Sequence, residues 1–195
     1  IHYTTDGSEP TATSPLYEKI VPVKEALTLK GATFAHGRQM GKTLILPVRW
    51  NLATAKPVLG TNPAEKLLTN GIRGSLKYSD FEWCSWADND SVSFTIDLLK
   101  PEVLNTLILG CITNNGMAIH KPASVRVEVS DDNSKFREAV VQSFTSEEIF
   151  REGNFIENLS LKLGGTQARY VRVTAKGPGV CPASHVRPGQ TSRIF

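Results

Sequence analysis

The sequence predicts an all-β chain: a small, incomplete antiparallel sandwich followed by a larger β-sandwich of jelly-roll type. Three observations predict it. Short runs of alternating apolar and polar residues recur along the whole length. Clusters of Gly, Pro, Asn and Asp separate them, and no strand–helix–strand rhythm appears. Only residues 63–68 (PAEKLL) and 146–152 hold enough helix formers for a turn or two.

The first fifty residues read as strands between turns. Ile1 opens into a strand-like run, and TTDGSEP (residues 4–10) packs Asp-Gly and Glu-Pro into a turn where Gly7 supplies positive φ. Residues 26–34 (ALTLKGATF) alternate, 36–38 (HGR) turn, and 43–50 (TLILPVRW) form a last strand. Pro47 places that strand at an edge or a bulge. Residues 51–56 (NLATAK) followed by Pro57 mark a boundary, giving domains at 1–54 and 55–195. In the second domain, 91–98 (SVSFTIDL), 106–111 (TLILGC), 124–130 (SVRVEVS), 137–143, 158–163 (NLSLKL) and 168–175 (ARYVRVTA) are strand candidates. DDNS at 131–134 and Gly164-Gly165 are expected to turn the chain.

The net charge of +3 falls entirely within residues 1–56, which hold seven Lys/Arg against four Asp/Glu; the remainder balances. Neither part offers the concentrated basic face of a nucleic-acid binder. No run reaches the ~18 apolar residues of a membrane span, and the strand-like start suggests a fragment of a longer chain. Cys84, Cys111 and Cys181 form no CxxC and no metal-ligand spacing, and His2, His36, His120 and His185 are scattered. Buried free thiols, or one disulfide plus an odd thiol in an exported protein, both fit this count. Asp80, Glu82, Asp88 and Asp90 cluster in sequence. A hydrolase would need two carboxylates on a framework that raises one pKa, and an exposed loop would leave all four ionised. No GxSxG, HExxH or glycine-rich phosphate loop is present. The chain reads as non-catalytic.

The run YTTDGSEPTATSPLY (residues 3–17) resembles the small β domain C-terminal to the catalytic domain of chitobiases and β-hexosaminidases. This implies an immunoglobulin-like spacer without catalytic residues. From Pro57 onward the order of motifs resembles the discoidin, or coagulation-factor type C, fold, and within it the family 32 carbohydrate-binding modules. The motifs are LLTNGIRGS, a loop with two tryptophans before a strand ending Asp97-Leu98, SVRVEVSDDNSKF, and ARYVRVTAKGPG. The pair of resemblances implies the C-terminal region of a bacterial family 20 glycoside hydrolase, exported to the periplasm, cell surface or medium. Its expected partners are glycans of the galactose or N-acetylhexosamine type and the parent's catalytic domain. A structural calcium ion near the NG turn is also implied, with oxygens from Leu67, Asn70 and Ser75. Two departures bear on it: Asn70 stands where the family commonly has Asp, and the chain stops at Phe195 before the family's usual acid.

The candidate binding residues lie on loops, where a rigid scaffold presents side chains to ligands. Trp83, Trp86 and Tyr78, in the polar stretch 69–90, can stack on the apolar face of a pyranose; alternatively the tryptophans plug the end of the sandwich. Asn114 and His120, in NNGMAIH (114–120), can bond sugar hydroxyls; alternatively Asn-Asn-Gly is a turn and His120 an exposed surface residue. His185 and Arg187 sit in a Gly/Pro-rich loop (177–192), where Arg187 can fork onto two hydroxyls or simply face solvent. Two other functions fit the resemblance: a structural packing module without sugar binding, and a protein- or lipid-adhesion domain of the same fold.

Overall fold

The computed structural model describes every residue except Asp80, residues 87–90 and Phe195. Asp80, Asp88 and Asp90, weighed above as carboxylates, therefore lie outside the described residues. The chain forms two compact units, Ile1–Thr54 with Gly71–Arg73 and Ala55–Asn70 with Gly74–Phe195.

The first unit carries an antiparallel sheet of three strands, β1 (His2–Thr4), β2 (Leu27–Ala35) and β3 (Arg38–Val48), in the order β1-β2-β3. His36 and Gly37, with φ of 50° and 76°, close a two-residue hairpin of the kind that needs two left-handed positions. Pro47 lies on β3, an edge strand, where a missing N–H interrupts no central ladder. Ala32 is buried, whereas Met40, Leu44 and Ile45 on β3 are exposed.

In the second unit β4 (Val58–Leu59), β5 (Ser91–Asn114), β6 (Ser124–Ser130), β7 (Arg137–Ser143) and β8 (Asn154–Lys176) pair antiparallel in the order β4-β5-β8-β6-β7. The sequence predicts two strands within each of β5 and β8, but the structure runs each straight through. The register explains both views. Ser91–Asp97 pair with Tyr170–Lys176, and after breaks at Asp97/Glu102 and Leu104/Thr106 the pairing resumes and continues to Asn114↔Asn154. Strands that bend at such irregularities can contribute to both layers of a sandwich. Gly164 and Gly165, at φ 63° and 78°, sit at the second irregularity inside β8 and do not reverse the chain. Alternation along β5, β6 and β8 buries Val92, Phe94, Ile96 and Leu98 with Val125, Val127 and Val129 and with Val171, Val173 and Ala175. Among the described residues no helix is long and apolar enough to cross a membrane.

Asp97 anchors the first bend. Arg169 donates from Nε and Nη2 to its two carboxylate oxygens at 2.8 and 2.9 Å, and the Leu99 N–H donates to Oδ1 at 2.8 Å, with Leu99 at φ 70°. The Arg169 hydrogen bond, aided by the Leu99 N–H and opposed by partial burial, holds the Asp97 carboxyl below its ordinary pKa. The stability this contributes is present above the unfolded carboxylate pKa and is lost as pH falls through the folded one. Asp97→Asn removes the charge while keeping the shape. Because Arg169 is partly exposed, the expected loss in urea unfolding is about 1–2 kcal/mol at neutral pH. An unchanged midpoint would show that the pair does not hold the bend.

Candidate functional site

Three loop segments are drawn together at one end of the second unit. The first runs from Asn114 to His120: β5 ends, Asn115–Met117 make a 3-10 turn, and Ala118 at φ 51° turns the chain back so that Asn114 and Ile119 bridge. The second is α1 (Ser146–Ile149), a single turn fixed by a capping box. Thr145 Oγ1 accepts the Glu148 N–H at 3.2 Å, and Glu148 Oε2 accepts the Thr145 N–H at 2.7 Å. The third is the Gly/Pro-rich loop after β8.

Side chains tie them. Asn115 Oδ1 accepts the Gly153 N–H at 3.0 Å, while its Nδ2 lies 3.3 Å from His185 Nε2. Arg187 donates from Nε to the Gly116 carbonyl at 2.6 Å, and its backbone N–H donates to His185 Nδ1 at 3.0 Å. The C-terminal segment threads through the arrangement. Arg193 N–H donates to the Ala118 carbonyl, His120 N–H to the Arg193 carbonyl, and Trp86 N–H to the Ile194 carbonyl.

On the outside of this end lies an open groove of about 500 Å³, lined by Glu147, Phe150, Arg151, Glu152, Pro182 and Ser184 among others. Phe150 is half-buried, and on its protein side its ring meets His120 edge-on at 5.0 Å and His185 at 6.1 Å. An aromatic ring wedged in this way, with two carboxylates, a guanidinium and two serine hydroxyls around it, can take a ligand with one apolar face and a rim of hydroxyls. The sequence marks the loop that carries Pro182 and Ser184, but none of the groove residues individually. Phe150 follows a short helical run, and nothing in its spacing separates it from a core aromatic.

The sequence-predicted residues fall in several places. His120 is fully buried, beneath the loop surface, with His185 nearly so. Burial, with a smaller contribution from His185, pushes the His120 pKa down to about 4. Asn114 is half-buried and Arg187 exposed, with its guanidinium spent on the Gly116 carbonyl. Trp86 stacks on Phe94 at 6.1 Å and packs with Val92, Ala175 and Ile194. Trp83 stays half-buried, its Nε1–H donating to the Ser75 carbonyl at 2.8 Å and its indole lying over Gly74. The two tryptophans are thus held by different partners, and Tyr78 is half-buried. Cys84, Cys111 and Cys181 are free, buried thiols. Burial, with the Glu65 charge adding to it, raises Cys84 to about 12, which leaves it an unreactive thiol. Two of the four scattered histidines do converge: His120 and His185 form one buried cluster with Cys181, which no linear spacing announces.

For calcium, Leu67, Asn70 and Ser75 offer oxygens of the right kind in part. The Leu67 carbonyl faces the Asn70 N–H at 3.5 Å, and the Ser75 carbonyl accepts from Trp83. A hard dication takes six to eight oxygens, so these three neutral donors would need carbonyls or water to complete the set.

The second unit is thus a β-sandwich that gathers polar and aromatic loops at one end. Residues 53–186 match the family model of the F5/8 type C domain, and the chain belongs to that family. Residues 1–44 match the chitobiase/beta-hexosaminidase C-terminal domain, and neither matched family is a catalytic domain. Among solved structures the chain is similar to a fucose binding module, SpX-3, of Streptococcus pneumoniae (19% identity, 74% of this chain and 93% of that one, TM-score 0.46). It is also similar to CpGH89CBM32-6 produced by Clostridium perfringens (21% identity, 65% and 89%, TM-score 0.42). A third is the C-terminal domain of a chitobiase from Bacteroides fragilis (16% identity, 66% and 74%, TM-score 0.36). No curated protein matches the chain.

Proposed function

We propose that the chain is a non-catalytic carbohydrate-binding accessory region of a β-hexosaminidase-like glycoside hydrolase, which it holds against glycan in an extracytoplasmic setting. The observation that carries this is the Phe150 groove. A pyranose would lay its C–H face on the Phe150 ring, while Glu147, Glu152, Ser184 and Arg151 meet its hydroxyls. A shallow site for one or two rings gives weak, reversible binding, and tethering converts it into a raised local substrate concentration for the catalytic domain. Trp83 and Tyr78 form a second candidate platform, with Asn114, Arg187, His120 and His185 supporting the loop end. Calcium at Leu67, Asn70 and Ser75 belongs to the same proposal as a loop brace.

The structural-packing alternative draws on Trp86, whose ring is spent on the core. Saturation-transfer NMR against galactose, N-acetylgalactosamine, N-acetylglucosamine and chitobiose, with and without calcium, separates the readings. The expected result is transfer to the ring protons of one sugar, reduced at least about fivefold in Phe150→Ala with methyl dispersion intact. Loss in Trp83→Ala with Phe150→Ala unaffected would move the site to the Trp83 loop. Silence across the panel would leave a structural module.

A further inference from the structure

We propose that His120, Cys181 and His185 form an internal site for one transition-metal ion of the zinc class, distinct from the surface groove and serving to lock two of the three loop segments together. Their ligating atoms, two imidazole nitrogens and a thiol sulfur, all lie within 4.8 Å of one another, and all three residues are buried. Imidazole and thiolate are the ligands that borderline-soft dications prefer, and the absence of a carboxylate in the trio disfavours calcium or magnesium.

The protein's own hydrogen bonding leaves this cluster unsatisfied. Both ring nitrogens of His120 are buried and make no hydrogen bond of normal geometry among the described residues, the Ile149 backbone exerting only a weak pull on the ring. His185 has the opposite difficulty. Its Nδ1 receives the Arg187 N–H and its Nε2 faces the Asn115 amide nitrogen, yet a neutral imidazole has one lone pair for two such donors. Cys181 Sγ has the Ser192 hydroxyl at 3.3 Å. Buried polar atoms are ordinarily paired, and two histidines failing together beside a thiol need a cause. A cation accounts for part of this by accepting a lone pair from each of the three residues, which leaves one N–H on each ring; at His120 the Ile149 backbone is the group that pulls on it. At His185 the nitrogen that binds the ion gives up its N–H contact and the other carries the ring proton, so both contacts have to rearrange. The exposed Arg187 on the same loop allows this at Nδ1. Binding would release the Cys181 thiol proton to solvent, leaving a thiolate and two neutral imidazoles on the ion. The three ligands come from two loops, 114–120 and 177–192, so one ion would staple the end of the sandwich that bears the groove.

Cobalt(II) titration of the reduced, metal-free chain tests this. The expected result is saturation at one equivalent, with intense tetrahedral d–d bands and a near-ultraviolet thiolate-to-cobalt charge-transfer band, all displaced by zinc. Cys181→Ser, nearly isosteric, should abolish the charge-transfer band, and His185→Gln should weaken binding by at least about tenfold, the lower end of what losing even an outer-shell partner does. Cys84→Ser combined with Cys111→Ser should leave the band intact. The proposal fails if no stoichiometric band develops, if the band survives Cys181→Ser with the fold confirmed by circular dichroism, or if it depends on Cys84 or Cys111 instead.

Discussion

Gly74→Ala is expected to destabilise the second unit by roughly 2–4 kcal/mol and to shift the fluorescence of Trp83. A Cβ built on Gly74 would lie 2.2 Å from Trp83 Cε2, 2.5 Å from Nε1 and 2.7 Å from Cδ2. Separations under 3.0 Å do not occur in real packing, so the indole must move. Overpacking of this kind costs about 1–3 kcal/mol. Moving the ring also breaks the Nε1–H bond to the Ser75 carbonyl, worth about 1 kcal/mol. Gly74 is therefore needed for the close approach of a flat ring and not for an unusual φ. Urea unfolding gives the energy, and tryptophan emission shows whether the ring has left its seat. A variant with wild-type midpoint and emission would mean that Trp83 does not rest on Gly74. The same substitution divides the two sugar platforms, because it disturbs Trp83 and leaves the Phe150 groove alone.

Elements that depend on local pattern were legible in the sequence. The alternation of SVRVEVS gives β6 with the bounds read from it, Ser124–Ser130. The left-handed preference of Gly7 and Gly37 marks turns that the structure contains, at φ 79° and 76°. The length of β5 and β8 was not legible, because a strand that stays paired through a bend looks, in one dimension, like two strands and a turn. The bend is held by the Asp97–Arg169 pair, whose members are far apart in sequence. The loop end shows the same limit more strongly. NNGMAIH reads as a polar surface turn, yet Asn115, Ala118, Ile119 and His120 are all buried, because the C-terminal segment bonds to it at Ala118 and His120. Phe150 and the pairing of His120 with Cys181 and His185 likewise exist only once three separate loops meet.

In the metal-free protein, stability is expected to fall by roughly 3 kcal/mol as pH is lowered from about 6.5 to about 4, and His120 is the cause. Its folded pKa is held at about 4 against an ordinary 6.5, mainly by burial and secondly by the neighbouring His185. The unfolded chain binds a proton in this window that the folded chain refuses, so stability drops with falling pH and levels off below the folded pKa. Two and a half pKa units at about 1.4 kcal/mol each set the magnitude. The groups packed against the ring give it little help in carrying a proton. His185 opposes the charge, the Cys181 sulfur lies in reach, Phe150 offers a ring edge, and the Ile149 backbone alone works weakly the other way. Carboxylates such as Asp97, held below their ordinary values, titrate lower and add their losses at the acid end of the range. Urea midpoints collected with a chelator across this range, for the wild type and His120→Phe, isolate the contribution of His120. The phenylalanine variant keeps an aromatic ring against Phe150 and removes two unpaired nitrogens. It should lose most of the slope between pH 6.5 and 4 and be no less stable than wild type at pH 7. A slope unchanged in His120→Phe would assign the acid sensitivity to other groups. A large loss at pH 7 would show that the His120 nitrogens have partners after all, and that the interior of the loop end is built on them.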